Sequence, residues 1–286
     1  MKDFMNKVAL ITGGASGIGL GIAKRCVEEG IHIILADTDQ DKLEKAKTNL
    51  KKQDIEVLAI RTDVSKVKQV EKLAERALKE FGELNLLFNN AGIYTVNQIW
   101  NHTLADYKWI ISVNLWGVIH CLHIFLPILI NQKCNSHIVN TASMSGFLPG
   151  QGIYGLTKHA IVSLSESLYF DIKQAKITNV GISVLCPTFV NTNLKNSEKY
   201  RPTELSNLET NSIQQSKICK RRIKKFKSAI SAGQSVEIVI NYLFNGIKED
   251  RFYILTEEKP WWIEVLKKRV DYIKNGINPN DLPISF

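Results

Sequence analysis

The sequence predicts one α/β domain, a doubly wound seven-stranded parallel sheet with helices on both faces. Three observations predict it. Short runs rich in β-branched residues alternate with longer helical patterns, which is typical of strands joined by crossover helices. Most of these runs are apolar throughout rather than alternating, as expected for strands that are covered on both faces. The chain has 286 residues, 44% of them hydrophobic, which is enough to bury a large core.

The strands and helices follow from these patterns in chain order. The predicted strands are Val8–Thr12, His32–Asp37, Glu56–Arg61, Leu84–Asn89, His137–Thr141, Gly181–Cys186 and Phe252–Leu255. The predicted helices run from the first strand to about Gly30, over Asp39–Gln53, Lys66–Phe81, Leu104–Ile130, Gly152–Lys176 and Ser235–Glu249, and from about Trp261 to Asn275. The two charged helices after the second and third strands each carry one apolar face, which they would bury against the sheet.

Two segments depart from the alternation of strands and helices. From 188 to 234 the periodicity weakens and Asn, Ser, Glu and Lys become frequent. Long insertions in compact domains are usually functional, so this segment is predicted to be a substrate lid within a single domain spanning 1–286. Residues 257–286 form a predicted C-terminal extension, whose adjacent Trp261 and Trp262 could cover the substrate mouth, form a subunit interface or pack in the core.

Composition and charge limit the possible functions. The net charge of +9 is concentrated in the basic segment Lys217–Lys227, which could bind nucleic acid or anionic lipid. No aromatic stacking platform accompanies it, which favours a solvated helix face and makes nucleic acid an unlikely partner. The five cysteines have no metal-binding spacing and predict free thiols and no metal site.

The N-terminal sequence and the lengths of the apolar runs predict where in the cell the protein is located. Residues 1–7 lack the pattern of a signal peptide. The densest apolar run, Ile124–Ile130, contains Pro127, and no run reaches the roughly 18 to 20 residues of a bilayer helix. The sequence therefore predicts a cytoplasmic protein without a transmembrane segment.

A glycine-rich turn follows the first predicted strand. It reads Thr12-Gly13-Gly14-Ala15-Ser16-Gly17-Ile18-Gly19 and opens a helix. Such a turn lets backbone N–H groups approach a pyrophosphate at a helix N-terminus. Asp37 ends the second strand 18 positions after Gly19, as in a dinucleotide-binding Rossmann fold. Its carboxylate would accept the ribose hydroxyls and repel the phosphate of NADP, which favours NAD; alternatively Asp37 caps a helix, a role that Thr38 or Asp39 could fill.

Tyr154 and Lys158 lie four residues apart on a predicted helix, so their side chains share one face. An ammonium near a phenol favours the phenolate, which general acid/base catalysis would use. Any amphipathic helix could carry this pair by chance, so its meaning depends on the other motifs.

Those motifs resemble the short-chain dehydrogenase/reductase family. Besides the glycine turn and the Tyr154/Lys158 pair, they include Asp63-Val64, Asn89-Asn90-Ala91-Gly92, Asn114 and Ser143, in the order of the family. The resemblance spans about 6–192 and continues more loosely to about 256. It implies four catalytic residues, Asn114, Ser143, Tyr154 and Lys158. It also implies an NAD site made of Thr12, Gly13, Gly17, Ile18, Gly19, Asp37, Asp63, Val64, Asn90, Ala91, Gly92, Tyr154, Lys158, Pro187, Val190 and Thr192.

The resemblance assigns a role to each catalytic residue. Tyr154 would exchange the substrate proton, Ser143 would hold the substrate oxygen, and Lys158 would bind the nicotinamide ribose and lower the pKa of the phenol. Asn114 would hold a kinked helix and a water that relays protons to Lys158. Asp63 would accept the adenine amino group, although it could instead cap the next helix, and Ser145 is a rival to Ser143.

Two departures from the family pattern concern the shape of the site. Only eleven positions separate Ser143 from Tyr154, so the loop between them must turn tightly. Thr188 stands where the family usually has glycine, and a β-branched residue tolerates positive φ poorly.

The substrate side is predicted to be apolar. Tyr94, Phe147 and Phe189 are candidate substrate residues, although they could equally pack the lid, and no cluster of Arg or Lys adjoins the catalytic positions in the sequence. This favours a hydrophobic secondary alcohol or ketone as substrate. The family resemblance also implies a homodimer or homotetramer. The alternatives are an NAD-binding protein that engages nucleic acid or an acidic partner through the basic segment, and a peripheral membrane enzyme.

Overall fold

The fold is a single parallel sheet between two layers of helices. The computed structural model describes residues 3–51, 54–206, 217–257, 261–280 and 282. The strands are β1 Val8–Thr12, β2 His32–Asp37, β3 Val57–Arg61, β4 Leu86–Asn89, β5 Ser136–Thr141, β6 Val180–Cys186 and β7 Tyr253–Leu255. All pairings are parallel in the order β3-β2-β1-β4-β5-β6-β7, which confirms the predicted fold class. The strand order reverses between β1 and β4, where such sheets bind ligands.

The helices cover both faces of this sheet. They are α1 Gly17–Glu28, α2 Gln40–Leu50, α3 Val67–Phe81, α4 Leu104–Ile111, α5 Gly117–Asn131, α6 Gly152–Gln174, α7 Lys217–Ser231, α8 Val236–Lys248 and α9 Trp262–Asn275. One core cluster joins α1, α2 and α8 to the sheet, and a second joins α3, α5 and α6 to its other face. A π-helical turn, Ser112–Trp116, connects α4 to α5.

Helix α7 lies in the segment where the sequence periodicity weakens, and it contains the basic segment Lys217–Lys227, for which the sequence favours a solvated helix face. Three of its side chains, Cys219, Phe226 and Ile230, are buried, and their spacing of seven and four places them on one face. Lysines and arginines fill the positions between them and hide this narrow stripe in the sequence. Residues 207–216 of the predicted lid and 258–260 of the predicted extension lie outside the described residues.

The continuous helical segment Leu104–Asn131 corrects one prediction. By length and composition it could cross a membrane, with a mean hydropathy of 1.9 over its most apolar stretch. The run Ile124–Ile130 is only part of this segment, whose apolar stretch is longer, and Pro127 does not interrupt the helix. Val118, Phe125 and Leu129 from this segment are buried in the core against the sheet. At least some of its apolar side chains therefore pack in the core of the protein.

Candidate active site

A cavity of about 470 Å³, here called the cofactor cavity, opens where the strand order reverses. Asp37 and Asp63 line one end of it, and Tyr154 and Lys158 line the other. Of the predicted NAD-binding residues, those on its wall are Gly13, Gly17, Ile18, Asp37, Asp63, Val64, Asn90, Ala91, Gly92, Tyr154, Lys158, Pro187, Val190 and Thr192. The predicted residues therefore meet around one space, although they come from six separate parts of the chain.

The glycine turn has a shape that only glycine permits. Gly13 and Gly17 have φ values of +64° and +53°, a region that other residues rarely adopt. A Cβ atom on Gly19 would lie 2.1 Å from the Gly13 carbonyl oxygen. Thr12 supports the turn from below, since its Oγ1 accepts hydrogen bonds from the backbone N–H groups of Asn90 at 2.9 Å and Ala91 at 3.1 Å. This open backbone at the start of α1 fits a pyrophosphate group.

The two acidic residues of the cofactor cavity are fixed by backbone groups. Asp37 accepts hydrogen bonds from the N–H groups of Ala15 at 3.1 Å and Asp39 at 3.2 Å, while Asp39 itself caps α2. The helix-cap alternative for Asp37 is therefore not what the structure shows. Burial raises the pKa of Asp37, and these backbone bonds oppose that rise. Asp63 accepts from the Ser65 N–H at 2.9 Å, so it stabilises the turn before α3 as well as lining the cavity.

Ser143 and Tyr154 meet on the wall between the cofactor cavity and a second, smaller cavity. Burial raises the pKa of Tyr154 and Tyr94 adds to the rise, while the Ser143 hydroxyl opposes it. The Ser143 Oγ accepts a hydrogen bond from the Ser145 N–H at 3.2 Å and donates to the Pro187 carbonyl oxygen at 3.3 Å. Of the two candidate serines, Ser143 lines both cavities, whereas Ser145 lines only the inner cavity of the two.

Lys158 is buried beside Tyr154, but its ammonium group does not point at the phenol. Its Nζ donates to the Thr141 carbonyl oxygen at 2.7 Å and lies 5.5 Å from the centre of the Tyr154 ring. Burial lowers the pKa of Lys158 to about 8, against a smaller opposing effect of Cys186. Burial has the largest effect on the pKa of Tyr154 and raises it, and the expected lowering by Lys158 is not among the effects that shift it.

Asn114 holds together three elements around the site. It lies in the π-helical turn and is fully buried. Its Oδ1 accepts from the Ile93 N–H at 2.9 Å, and its Nδ2 donates to the Ile93 carbonyl oxygen at 3.0 Å and to the Thr157 hydroxyl at 3.3 Å. Asn114 thus ties the break between α4 and α5 to the loop after β4 and to α6, the helix that carries Tyr154 and Lys158.

The second cavity, here called the inner cavity, has a volume of about 180 Å³. Ser143, Tyr154 and the predicted substrate residues Tyr94 and Phe189 line it. The Tyr94 ring lies 4.7 Å from the Tyr154 ring and stacks on Phe226 of α7 at 3.9 Å, with an interplanar angle of 5°. One face of the basic helix α7 therefore packs on Tyr94, which contacts Tyr154. Lys220, Arg221, Lys224, Lys225 and Lys227 on this helix are exposed.

Arg222 is a single basic residue near the predicted catalytic positions, where the sequence shows no cluster of Arg or Lys. It lines the inner cavity, four residues before Phe226 and hence on the same helical face. Sequence reasoning missed it because the basic segment is 59 or more positions from the catalytic residues in the chain. The spacing from Phe226 is the signal that could have found it, once α7 was recognised as a helix.

Phe147, the third predicted substrate residue, has a different environment. Its ring stacks on Trp262 at 5.4 Å with an interplanar angle of 9°, and its carbonyl oxygen accepts from Arg269 Nη1 at 2.7 Å. Within the described part of the chain it lines neither the cofactor cavity nor the inner cavity. We therefore leave Phe147 out of the substrate site. Trp262 is buried in the core and Trp261 is half exposed, so α9 of the C-terminal extension supports the loop between Ser143 and Tyr154.

The structure also explains how the two departures from the family pattern are accommodated. The short loop before α6 turns at Gly150 and Gly152, whose φ values are +79° and +58°. Thr188 does not have a positive φ, so its β-branched side chain brings no strain of that kind. Its hydroxyl donates to Glu257 Oε1 at 2.7 Å and accepts from Gln234 Nε2 at 2.7 Å, which connects the loop after β6 to the chain beyond β7.

The doubly wound sheet, the glycine turn and the Asn-Ser-Tyr-Lys group define a dinucleotide-binding oxidoreductase fold. The chain belongs to the short-chain dehydrogenase family, whose model matches residues 7–202.

Similar proteins cover the whole chain. A CLA biosynthesis dehydrogenase/reductase of Lactiplantibacillus plantarum is 34% identical over 275 residues, which are 96% of this chain and 95% of that protein. A C alpha-dehydrogenase of a Sphingobium species is 30% identical over 98% of this chain and 89% of that protein. A short-chain dehydrogenase/reductase from Burkholderia phymatum, solved in complex with NAD, is 38% identical and superposes with a TM-score of 0.93 over all of both chains.

Proposed function

We propose that this protein is an NAD-dependent oxidoreductase that interconverts a secondary alcohol and a ketone, with Tyr154 as the general acid/base. The observation that carries the proposal is that Ser143 and Tyr154 both line the cofactor cavity and the inner cavity. A substrate oxygen placed between these hydroxyls would face the space in which a nicotinamide fits. The related enzymes named above are dehydrogenases, which supports the same reaction class.

Each residue contributes a separate step to this chemistry. Bound NAD would accept hydride from the alcohol carbon, or NADH would supply it to the ketone. Tyr154 takes the hydroxyl proton during oxidation and returns it during reduction. Ser143 holds the substrate oxygen against the phenol, and the Lys158 ammonium provides hydrogen bonds and positive charge on the cofactor side of Tyr154. Asn114 is a positioning residue, since its side-chain bonds fix the elements around the pair.

The preference for NAD over NADP rests on Asp37. Its carboxylate lines the cofactor cavity beside Thr38, and a negative charge at this position would repel a ribose phosphate. The B. phymatum relative was solved with NAD. Burial raises the pKa of Asp37 from its ordinary value of 3.8. The ribose hydroxyls of bound NAD would donate hydrogen bonds to the Asp37 carboxylate.

Tyr154→Phe tests the proposal, with Tyr169→Phe on the same helix as the matched control. Tyr169 packs on Phe252, with 4.9 Å between ring centres, and is not part of the site. Loss of the phenol should lower kcat by about 10²- to 10⁴-fold and leave the Kd for NAD unchanged. Turnover is followed by nicotinamide absorbance with a panel of secondary alcohols and ketones, with NAD and NADP side by side. Full turnover by Tyr154→Phe on a substrate of the wild type would refute the role of Tyr154.

We also propose that the protein is a homo-oligomer that works in the cytoplasm. Trp116, Leu156 and Phe170, in the π-helical turn and α6, are 50%, 48% and 68% exposed, and burial of such side chains between subunits would be favourable. All five cysteines are free thiols, as expected for a protein in a reducing compartment. Sedimentation analysis of the purified protein tests the assembly.

A further inference from the structure

Arg222 is the basic side chain of the segment Lys217–Lys227 that reaches the inner cavity. The same residue borders an outer groove of about 400 Å³, which shares Asn97, Gln151 and Gly152 with the inner cavity. The Arg222 guanidinium is therefore placed where a substrate would pass from the groove toward Tyr154. Burial raises the pKa of Tyr94, and the charge of Arg222 opposes that rise. The Tyr94 ring contacts Tyr154, so the charge of Arg222 acts within the proposed substrate space.

The guanidinium of Arg222 has few hydrogen-bond partners in the described part of the chain. One of its N–H groups faces the Asn97 carbonyl oxygen at 3.5 Å, a long distance for a hydrogen bond. Guanidinium has five N–H donors. The arginines with carboxylate partners in the described structure are Arg25, Arg201 and Arg251. No described residue on the wall of the inner cavity is an aspartate or glutamate, so the cavity holds a positive charge without an internal counter-charge.

His102 does not change this charge balance. It also lines the inner cavity, but its Nδ1 lies 3.3 Å from Asp106 Oδ2. The other oxygen of that carboxylate binds the Arg201 guanidinium at 2.7 Å. Asp106 is therefore already shared between His102 and Arg201, and Arg222 is left to a ligand.

Gln151 supplies a second donor at the same place. Its Nε2 is buried and has no hydrogen-bond partner among the described residues, and the residue lines both the inner cavity and the outer groove. An unsatisfied buried donor is unfavourable and uncommon in native proteins. A single acceptor group between Gln151 and Arg222 would satisfy both, and an oxyanion would also neutralise the guanidinium.

We infer that the substrate is a hydroxy acid or oxo acid whose carboxylate binds Arg222 and Gln151 while its alcohol or ketone lies between Ser143 and Tyr154. This inference rests on the proposed function and names its substrate class. Arg222 faces the Asn97 carbonyl and borders the outer groove, which Ser143 and Tyr154 do not line, so we place the carboxylate several bonds from the reacting carbon. The aromatic side chains of Tyr94, Phe189 and Phe226 provide the apolar wall for that spacer.

The test compares acids with their neutral esters. (ω−1)-Hydroxy acids of increasing chain length and their methyl esters are assayed with the wild type, Arg222→Met, Arg222→Lys and Arg221→Met. Arg221 is the matched control because it is the adjacent arginine, is exposed and lies outside both cavities. Arg222→Met should lower kcat/KM for the preferred acid by about 10- to 100-fold, mainly through KM. It should lower kcat/KM for the methyl ester of that acid far less. Arg222→Lys should keep part of the preference, and Arg221→Met should keep all of it.

A binding measurement separates this inference from the proposed function. Calorimetric titration of the matching oxo acid and its methyl ester into Tyr154→Phe saturated with NAD reports affinity without turnover, and Arg222→Met in that background should abolish the preference for the acid. Tight, Arg222-dependent binding of the acid without any turnover in the wild type would contradict the proposed reaction. The same result would support the carboxylate site. Turnover of neutral alcohols with no preference for any acid, or equal losses for acid and ester in Arg222→Met, would overturn the carboxylate site alone.

Discussion

Replacement of Lys158 by methionine should stabilise the protein while it removes activity. Lys158 is 3% exposed, and its aliphatic chain is already accommodated in the core beside Tyr154. Burial disfavours the charged ammonium, which is why the pKa of Lys158 falls from 10.5 to about 8. Methionine has a similar length and no charge to bury, so the variant avoids that cost. A catalytic group kept at the expense of stability is a common feature of active sites.

The size and the pH dependence of the effect follow from the pKa. A fall of about 2.5 pH units corresponds to ~3 kcal/mol at 1.36 kcal/mol per unit. Below pH 8, Lys158 is protonated in both the folded and the unfolded states, so the full free-energy cost of burying its charge lowers the stability of the wild type. Between pH 8 and 10.5 the unfolded state binds more protons, so the stability of the wild type rises with pH. Because the variant also loses the hydrogen bond to Thr141, the net gain at neutral pH should be about 1 to 2 kcal/mol.

Urea denaturation from pH 7 to 10.5 measures this difference. The advantage of Lys158→Met over the wild type should shrink as pH rises and disappear or reverse near pH 10.5. Lys173→Met, a change at an exposed position on the same helix, is the control and should follow the wild type throughout. An advantage that stays constant with pH, or a variant less stable than the wild type at pH 7, would show that burial does not lower the pKa of Lys158 as described.

Three further predictions concern other parts of the molecule. Trp262→Ala should lower the free energy of unfolding by about 3 to 5 kcal/mol, measured by urea denaturation, because its ring is buried against Phe147; a loss below about 1 kcal/mol would argue against core packing of α9. Asp37→Asn should shift the ratio of the Kd values for NAD and NADP toward NADP by at least about tenfold, and an unchanged ratio in calorimetric titrations would remove the basis of the NAD preference. Phe170→Asp, at a side chain 68% exposed in the single chain, should weaken subunit association in sedimentation velocity; unchanged assembly would place the interface elsewhere.

The Tyr154/Lys158 pair shows how much of the site geometry residue spacing alone can predict. The sequence indicates that the two side chains share a helical face, and the structure places them side by side in α6. Spacing alone does not give the direction of the ammonium group. That direction depends on the carboxyl end of β5, where the Thr141 carbonyl oxygen lies within 2.7 Å of Lys158 Nζ. The balance between burial and charge at Tyr154 therefore required the packed structure.

Sequence by itself determined the parallel sheet, the strands to within two residues at each end and the motifs that line the cofactor cavity, because these depend on local periodicity and on turns that only glycine can form. The tertiary structure alone decided what surrounds the phenol. It placed Phe226 and Arg222 of α7 over the inner cavity and moved Phe147 away from it onto Trp262. The physical reason is that a substrate site is made by contacts between segments far apart in the chain. Such contacts leave no periodic pattern in either segment, so only packing shows that one arginine of a solvated basic helix lines the same cavity as Tyr154.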